Sequence, residues 1–377
     1  MNKTFLPKPT QELLLKSAFL PKEMASAAWA AWKELADIHD IDLGSSRLMP
    51  LVYAHLKHSH AADFQMNKMK GIYRYTWAKN QHLFHSVQPA LIALHEAKIP
   101  MLLLKGAALA LSHYRDFGLR PMQDFDLLVP EDKVLEALEV LRLKGWSPKY
   151  LKFRTVKKFN PTFLSVYPSM CLTDPKDAEC DLHWRVDGLE EDLWKFAEPF
   201  DWNGLPLFLP SPTEQLLHVC IHGTEFNINS SIRWVGDALM LLIKNSAIDW
   251  ERLIDISRRG NFALPMKETL AYLRGEFNAP IPLEVLSALR DLPITAETAA
   301  YYEKKWKPER SRSAWENWVY NISFLWRHHS QLYITRRIRF FTFARFLQRL
   351  WGLDSLLHLP FHLICSQIRF WRKNFLQ

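Results

Sequence analysis

The stretch that decides the fold is LLLKGAALALSHYRDFGLRPMQDFDLLVP, residues 102–130. It begins with a short apolar run closed by Gly106, which is typical of a buried strand. AALALSHYRDFG then predicts a helix that ends at Gly118, because glycine is common just beyond a helix C-terminus. After a turn at Arg120 and Pro121, DFDLLVP predicts a second strand. The order strand, glycine, helix, strand predicts a small α/β unit.

The second strand carries two carboxylates, Asp124 and Asp126. Side chains two residues apart on a strand point to the same face, so both face one site. Like charges at that distance repel unless a cation lies between them, and Mg²⁺ prefers oxygen ligands. TFLSVYPSMCLTD and AECDLHWRV predict two further strands, neighbours in one sheet, and Asp181 on the second of them supplies a third carboxylate. The pattern predicts a site for two divalent cations, Mg²⁺ or alternatively Mn²⁺.

The turn before the predicted helix has the features of a phosphate site. The backbone N–H groups of Gly106 and Ala107 lie at a helix N-terminus, which attracts anions, and Gly106 permits a close approach. Lys105 and Arg120 flank the carboxylates and are candidates for binding phosphate. The alternative is that both are surface charges beside acidic strands.

In combination, these features resemble the DNA-polymerase-β-like nucleotidyltransferase superfamily, and more closely a bacterial family of uncharacterised nucleotidyltransferases. The shared motifs are K-G-x-A-L, R-P-x-x-D-x-D-L-L-V and D-L-H-W-R, which are found here at Lys105–Leu109, Arg120–Val129 and Asp181–Arg185. The later helices LLHVCIHG and IRWVGDALMLL are also similar. The resemblance covers most of residues 10–245.

The resemblance implies an α+β fold: an α/β-type nucleotidyltransferase core with a small mixed sheet, flanked by helical N- and C-terminal regions. It implies that Asp124 and Asp126 bind both metal ions, and that Asp181 binds the catalytic ion and helps to deprotonate an acceptor hydroxyl. The acceptor would attack the α-phosphorus of an NTP, ATP among the candidates, and release pyrophosphate. Two features depart from the superfamily: Ala107 replaces the usual Ser or Gly, and the spacing from Gly106 to Asp124 is longer.

Further candidates for substrate contacts lie after the third carboxylate and in a later helix. Strand alternation places His183 and Arg185 on the face of Asp181, and packing is the alternative role for His183. Arg233 and Asp237 are four residues apart on a predicted helix. They form either an ion pair along that helix or contacts in the active-site cleft.

Two histidines, His218 and His222, have a spacing that suits metal ligands on a helix. No acidic residue completes an HExxH motif between them. Structural histidines bonded to the backbone or to Asp237 are therefore the favoured interpretation.

The remaining chain is predicted to be mainly helical, with a start signal at Ser211-Pro212-Thr213-Glu214. We predict four regions: a helical N-terminal region at 1–97, the core at 98–205, a helical domain at 206–326 and a basic amphipathic tail at 327–377. The tail has nine Lys and Arg residues against one acid, and so carries the whole net charge of +8. The neutral body disfavours a polynucleotide polymerase, which needs a basic groove.

The tail has three interpretations. An amphipathic helix docked on the protein's own core or on a second copy is favoured. Peripheral membrane contact through residues 330–377 is second, because the helix combines arginines with Phe, Leu and Trp. Nucleic acid is less favoured.

Four cysteines without a CxxC pair, no signal peptide and no run of 18 apolar residues predict a cytoplasmic protein without membrane-spanning helices. The expected partners are an NTP and an unidentified acceptor: a small molecule, a peptide, a protein or an RNA end. The alternative function is an inactive binding module, membrane-peripheral in an envelope polysaccharide or peptide-biosynthesis system.

Overall fold

The computed structural model describes residues 3–60, 63–149, 161–186, 188–225, 232–243, 247–306, 322, 325–326, 339–351 and 353–360. Within these ranges, helices surround a single mixed sheet. This arrangement confirms the predicted α+β fold.

The described helices before the sheet are α1 Pro9–Phe19, α2 Lys22–Leu35, α3 Leu43–Ser46, α4 Met49–Leu56 and α5 Phe64–Glu96. Pro50 lies in the first turn of α4, where its missing N–H would have no helical partner anyway. Helix α5 begins after Asp63, whose carboxylate accepts from the backbone N–H of Gln65. It continues through Pro89 without ending there.

The sheet has seven strands in the order β3-β4-β5-β2-β1-β7-β6. Their bounds are β1 Leu102–Leu103, β2 Asp124–Leu128, β3 Ser147–Pro148, β4 Ser169–Thr173, β5 Glu179–His183, β6 Glu198–Trp202 and β7 Leu205–Leu209. The pairs β2–β5 and β1–β7 are parallel, and the other pairs are antiparallel. Because β7 pairs with β1, the sheet extends past the predicted end of the core at residue 205.

The elements between the strands are α6 Lys105–Leu109, a π-helical turn at Ala110–Tyr114, a 3-10 turn at Glu131–Lys133, α7 Val134–Leu143, α8 Pro161–Val166 and α9 Glu190–Lys195. Strand β2 lies at the centre of the sheet. Its Phe125 is fully buried and packs edge-on against Phe84 of α5, with ring centroids 5.3 Å apart. The alternation that buries Phe125 turns Asp124 and Asp126 to the opposite face.

Beyond the sheet lie α10 Pro212–Glu225, α11 Arg233–Ile243, α12 Trp250–Arg259, α13 Ala263–Phe277, α14 Leu283–Asp291 and α15 Ala296–Lys305. Helix α10 begins where the sequence predicts, and the hydroxyl of Ser211 donates to Glu214. These helices share one hydrophobic core with α1 and α2. A hydrogen bond of 3.0 Å from the Trp234 indole to the Phe5 carbonyl joins the two regions.

Two local predictions are wrong. The helix after Gly106 ends at Tyr114 rather than at Gly118, because Arg115 adopts a left-handed backbone with φ of 53°. Gly118 instead accommodates the ring of Tyr73, which a Cβ atom would overlap. The predicted strand TFLSVYPSMCLTD begins only at Ser169, after Pro168, and the residues before it form α8.

The described part of the basic tail contains a helix, α16 Arg339–Leu350. Its apolar side chains Phe343, Phe346, Leu347 and Leu350 are buried in the hydrophobic core around the sheet. Arg345 and Arg349 are exposed on the other side. This helix therefore docks on the protein's own core, while residues 327–338, 352 and 361–377 of the predicted tail lie outside the described ranges. Among the helices described, none has the length and apolar character needed to cross a membrane.

Candidate active site

The register of the sheet brings two of the predicted carboxylates together. Strands β2 and β5 are parallel, and Asp126 is directly paired with Asp181. Two residues further along β5, His183 lies on the same face as Asp181. The ligand atoms of Asp126, Asp181 and His183 all lie within 4.8 Å of one another. Asp126 and Asp181 are 55 residues apart in the chain, and they come together because a crossover connection places β2 and β5 side by side in parallel.

Asp126 is the most buried member of this group, with 2% of its surface exposed. Its Oδ1 atom accepts a hydrogen bond of 2.6 Å from Lys105 Nζ and lies 3.0 Å from His183 Nε2. Burial alone would raise the pKa of Asp126, but Lys105 and His183 outweigh that effect and hold the pKa well below its usual range. Asp126 is therefore ionised at neutral pH.

Lys105 reaches Asp126 from the turn between β1 and α6. Its backbone is left-handed, with φ of 43°, which costs a non-glycine residue about 1–2 kcal/mol. Burial disfavours the ammonium ion, but Asp126 reverses this and raises the Lys105 pKa. The ion pair with Asp126 helps to offset the strain of the turn.

Asp124 lies in the same cleft but is not part of the close cluster. Burial, together with the charges of Asp126 and Asp181, raises its pKa. An added cation would therefore stabilise the ionised form of the Asp124 carboxyl.

The residues present fit a divalent cation. Asp126 and Asp181 offer carboxylate oxygens, the ligands that Mg²⁺ prefers, and His183 offers a nitrogen that transition metals also accept. The group differs from the predicted one, because His183 lies closer to Asp126 and Asp181 than the sequence suggested, and Asp124 lies outside the cluster.

Arg120 forms the opposite side of the cleft. Its Nε and Nη2 atoms donate to the two carboxylate oxygens of Asp237 on α11, both at 2.8 Å. Tyr114 donates to the same carboxylate, also at 2.8 Å. Of the two interpretations of Arg233 and Asp237, the ion pair along the helix does not form, because Asp237 is bound by Arg120; both residues line the cleft. Arg233 instead donates to the Pro121 carbonyl at 3.1 Å.

A cavity of about 110 Å³ joins these groups. Its wall contains most of the predicted site residues, namely Lys105, Gly106, Arg120, Asp124, Asp126, Arg233 and Asp237. Helix α10 closes the cavity with Gln215, His218 and His222. The strand β2 therefore supplies Asp124 and Asp126, the loop before it supplies Arg120, and the helical region supplies Arg233, Asp237 and neutral polar groups to one cleft.

The model of a family described as uncharacterised nucleotidyltransferases matches residues 43–278. This range contains every strand of the sheet and every residue of the cleft named above. The chain belongs to this family. Among curated proteins, none matches the chain.

Membership of this nucleotidyltransferase family confirms the resemblance inferred from the motifs. The matched range starts later than the similarity noted in the sequence and extends further, to the end of α13. The N-terminal helices α1 and α2 precede the matched range, although they share the hydrophobic core with its helices.

The glycine of the family's K-G-x-A-L motif has a role that the sequence did not reveal. A Cβ atom at Gly106 would lie 2.5 Å from Nη1 of Arg120. The glycine therefore leaves space for the guanidinium that binds Asp237. The side chain of Ala107 is fully buried in the core around the sheet and does not line the cleft.

Arg185 was predicted to share the face of Asp181, and the structure places it elsewhere. Strand β5 ends at His183 and the chain bends, so strand alternation no longer applies. The Arg185 guanidinium donates to the Ser165 carbonyl at 2.8 Å. It therefore supports α8 rather than the cleft.

His218 and His222 line the cleft, with ring centroids 6.2 Å apart. Burial and the charge of Lys105 lower the pKa of both rings, that of His222 to about 3. Both are neutral imidazoles at physiological pH. The sequence indicated structural histidines. It could not predict that they line the cleft, because that depends on how α10 packs against the sheet.

Asn80 of α5 is a positioning residue that the sequence analysis missed. Its amide donates to the carbonyls of Phe117 and Arg120, at 2.7 and 2.8 Å, and accepts from the Met122 N–H at 3.2 Å. These bonds hold the loop that delivers Arg120 to the cleft. A lone asparagine within a long helix gives no such indication in the sequence.

Proposed function

We propose that this protein is a divalent-cation-dependent nucleotidyltransferase that moves a nucleoside monophosphate from an NTP to an acceptor hydroxyl. The observation that carries the proposal is the pairing of Asp126 with Asp181 on adjacent parallel strands, where Asp126 lines a cleft that Asp124 also lines. Membership of a nucleotidyltransferase family supports it.

The proposed reaction balances without another reactant. The acceptor oxygen attacks the α-phosphorus, the bond between the α-phosphorus and its bridging oxygen to the β-phosphorus breaks, and pyrophosphate leaves with that oxygen. The acceptor proton passes to a carboxylate oxygen of Asp181. When bound, a divalent cation would neutralise charge on the phosphoryl oxygens and lower the pKa of the acceptor hydroxyl.

The residues of this chain would hold the cation and orient the nucleotide. Asp126 and Asp181, with Asp124 or His183, would bind the cation. Lys105 would exchange its bond to Asp126 for one to a phosphate oxygen, because a cation on Asp126 removes the attraction that holds the ammonium there. The neutral side chains of α10 would contact the nucleoside rather than its phosphates.

The deciding experiment is calorimetric titration with each of the four NTPs, in Mg²⁺, in Mn²⁺ and in EDTA. We expect one or more NTPs to bind only with the metal, and Asp126→Asn to abolish this binding. Asp132→Asn is the matched control, because Asp132 is exposed on the 3-10 turn at Glu131–Lys133. The NTP identified is then used with an α-label to detect transfer to candidate acceptors.

Metal-independent binding, or binding that Asp126→Asn leaves intact, would contradict the proposal. Metal-dependent binding without transfer to any hydroxyl acceptor would favour the alternative of an inactive binding module. Failure of the Asp132→Asn control to bind would show a general effect of charge rather than a role of the cleft.

A further inference from the structure

Two arginines beside the cleft form no ion pair with any acidic residue that the structure describes. Arg47 follows α3, and Arg233 begins α11. Across the parts of the chain that the structure describes, no carboxylate lies within salt-bridge distance of either. The Nε atom of Arg233 is buried without any hydrogen-bond partner.

The two arginines converge on one place. Both line a small cavity behind the cleft, together with Arg120 and Asp237. The main cleft shares three of these residues, Arg120, Arg233 and Asp237. Burial and the nearby charges of Arg120 and Arg47 lower the pKa of Arg233 to about 10. The arginines therefore repel one another in the free protein.

The other charges of the cleft are already paired. Asp126 is bound by Lys105, and Asp237 is bound by Arg120. Among the described residues, Asp124 and Arg233 line the cleft without an ion pair, and Arg47 lines the small cavity that shares Arg233 with the cleft. Burying charges without partners costs free energy, and a ligand that carries both a cation and an anion would satisfy the carboxylate and the arginines at once.

We propose that Arg47 and Arg233 bind the terminal phosphates of the nucleotide and, after transfer, the leaving pyrophosphate. This inference rests on the proposed function and extends it to a residue of the N-terminal helices. A polyphosphate fits better than a single phosphate or a carboxylate, because its charge extends over several phosphates. The Arg233 guanidinium and the Lys105 ammonium line the main cleft, and Arg47 lines the small cavity that shares Arg233 with it. Asp124 also lines the main cleft, where the metal that accompanies a polyphosphate would be attracted.

The test uses inorganic tripolyphosphate and pyrophosphate as probes, with orthophosphate and a nucleoside monophosphate for comparison. Calorimetry in Mg²⁺ is carried out on the full chain and on Arg47→Gln and Arg233→Gln. We expect each substitution to weaken tripolyphosphate and NTP binding at least tenfold and to leave monophosphate binding unchanged. Arg258→Gln is the matched control, because Arg258 is exposed on α12 and pairs with Asp255.

Thermal unfolding of the free protein separates this role from a structural one. If the two arginines serve a ligand, the glutamine variants unfold at the same temperature as the parent protein or higher, because a repelled charge is removed. A clear fall in unfolding temperature with unchanged tripolyphosphate affinity would overturn the proposal. If Arg233→Gln does not fold, Arg47→Gln decides the outcome.

The outcomes also separate this inference from the proposed function. NTP transfer that persists with full affinity in Arg47→Gln would reject the phosphate site and leave the transferase standing. Tripolyphosphate binding that depends on both arginines, without any transfer of a nucleotide, would keep the site and reject the transferase. Absence of tripolyphosphate binding to the parent protein would reject the site.

Discussion

Arg120 and Asp237 are joined by two parallel hydrogen bonds of 2.8 Å, although 117 residues separate them in the chain. Both side chains are almost fully buried. One follows the turn before β2, and the other lies on α11, so the pair connects the sheet to the helical region across the cleft. The geometry of the cleft depends on this contact.

Breaking this pair should destabilise the protein strongly. We expect Asp237→Asn to lower the free energy of unfolding by about 3–5 kcal/mol, because it leaves the Arg120 guanidinium buried without its counter-ion. Denaturant unfolding measures the change. The matched control is Arg142→Gln, which breaks an exposed pair with Glu139 and should leave stability unchanged. A loss for Asp237→Asn no larger than that of the control would contradict the role given to this pair.

A side chain at Gly106 should destabilise the protein. In Gly106→Ala, the added Cβ displaces the Arg120 guanidinium, and we expect a loss of about 1–3 kcal/mol from overpacking together with weaker NTP binding. Gly71→Ala is the control, since Gly71 is exposed on α5 with nothing within 4 Å of its Cβ position. That change should stabilise by about 0.5–1 kcal/mol. Equal effects at the two positions would disprove the steric explanation.

Asp124→Asn should stabilise the metal-free protein and destabilise the metal-bound one. The folded-state pKa of Asp124 is raised above 3.8 by burial and by the neighbouring carboxylates, so its ionised form destabilises the fold above that pKa. We expect a gain of about 0.5–2 kcal/mol in EDTA at pH 7, which disappears as the pH falls through the folded pKa. In Mg²⁺ the parent protein should be the more stable. A loss of stability in EDTA would count against the charge argument.

His222 should make the protein sensitive to acid. Burial and Lys105 lower its folded-state pKa to about 3, whereas the unfolded value is 6.5. Between these values the unfolded chain binds the additional proton, so stability falls as the pH falls, by up to about 1.4 kcal/mol per pH unit. His222→Gln should flatten this slope between pH 6.5 and 3. Exposed His82→Gln should not, and an unchanged slope in His222→Gln would contradict the assignment.

Part of the site could be predicted from the sequence, and the reason is physical. Strand alternation is local, so the sequence alone predicted that Asp124 and Asp126 share a face. Asp181 could be included because it lies within a recognisable strand of a known motif. The alternation argument failed at Arg185, because the chain leaves the strand at His183.

The sequence by itself determined the order of the elements, the paired aspartates and the membership of a nucleotidyltransferase family, since these depend on periodicity and on contiguous motifs. Only the tertiary structure decided which charges pair. It joined Asp237 to Arg120 rather than to Arg233, and placed Lys105 on Asp126. It left Arg47 and Arg233 without an ion pair to any of the acidic residues described. Charge pairing depends on distances of a few ångströms between segments that are remote in the chain. No local pattern encodes those distances before the helices pack against the sheet.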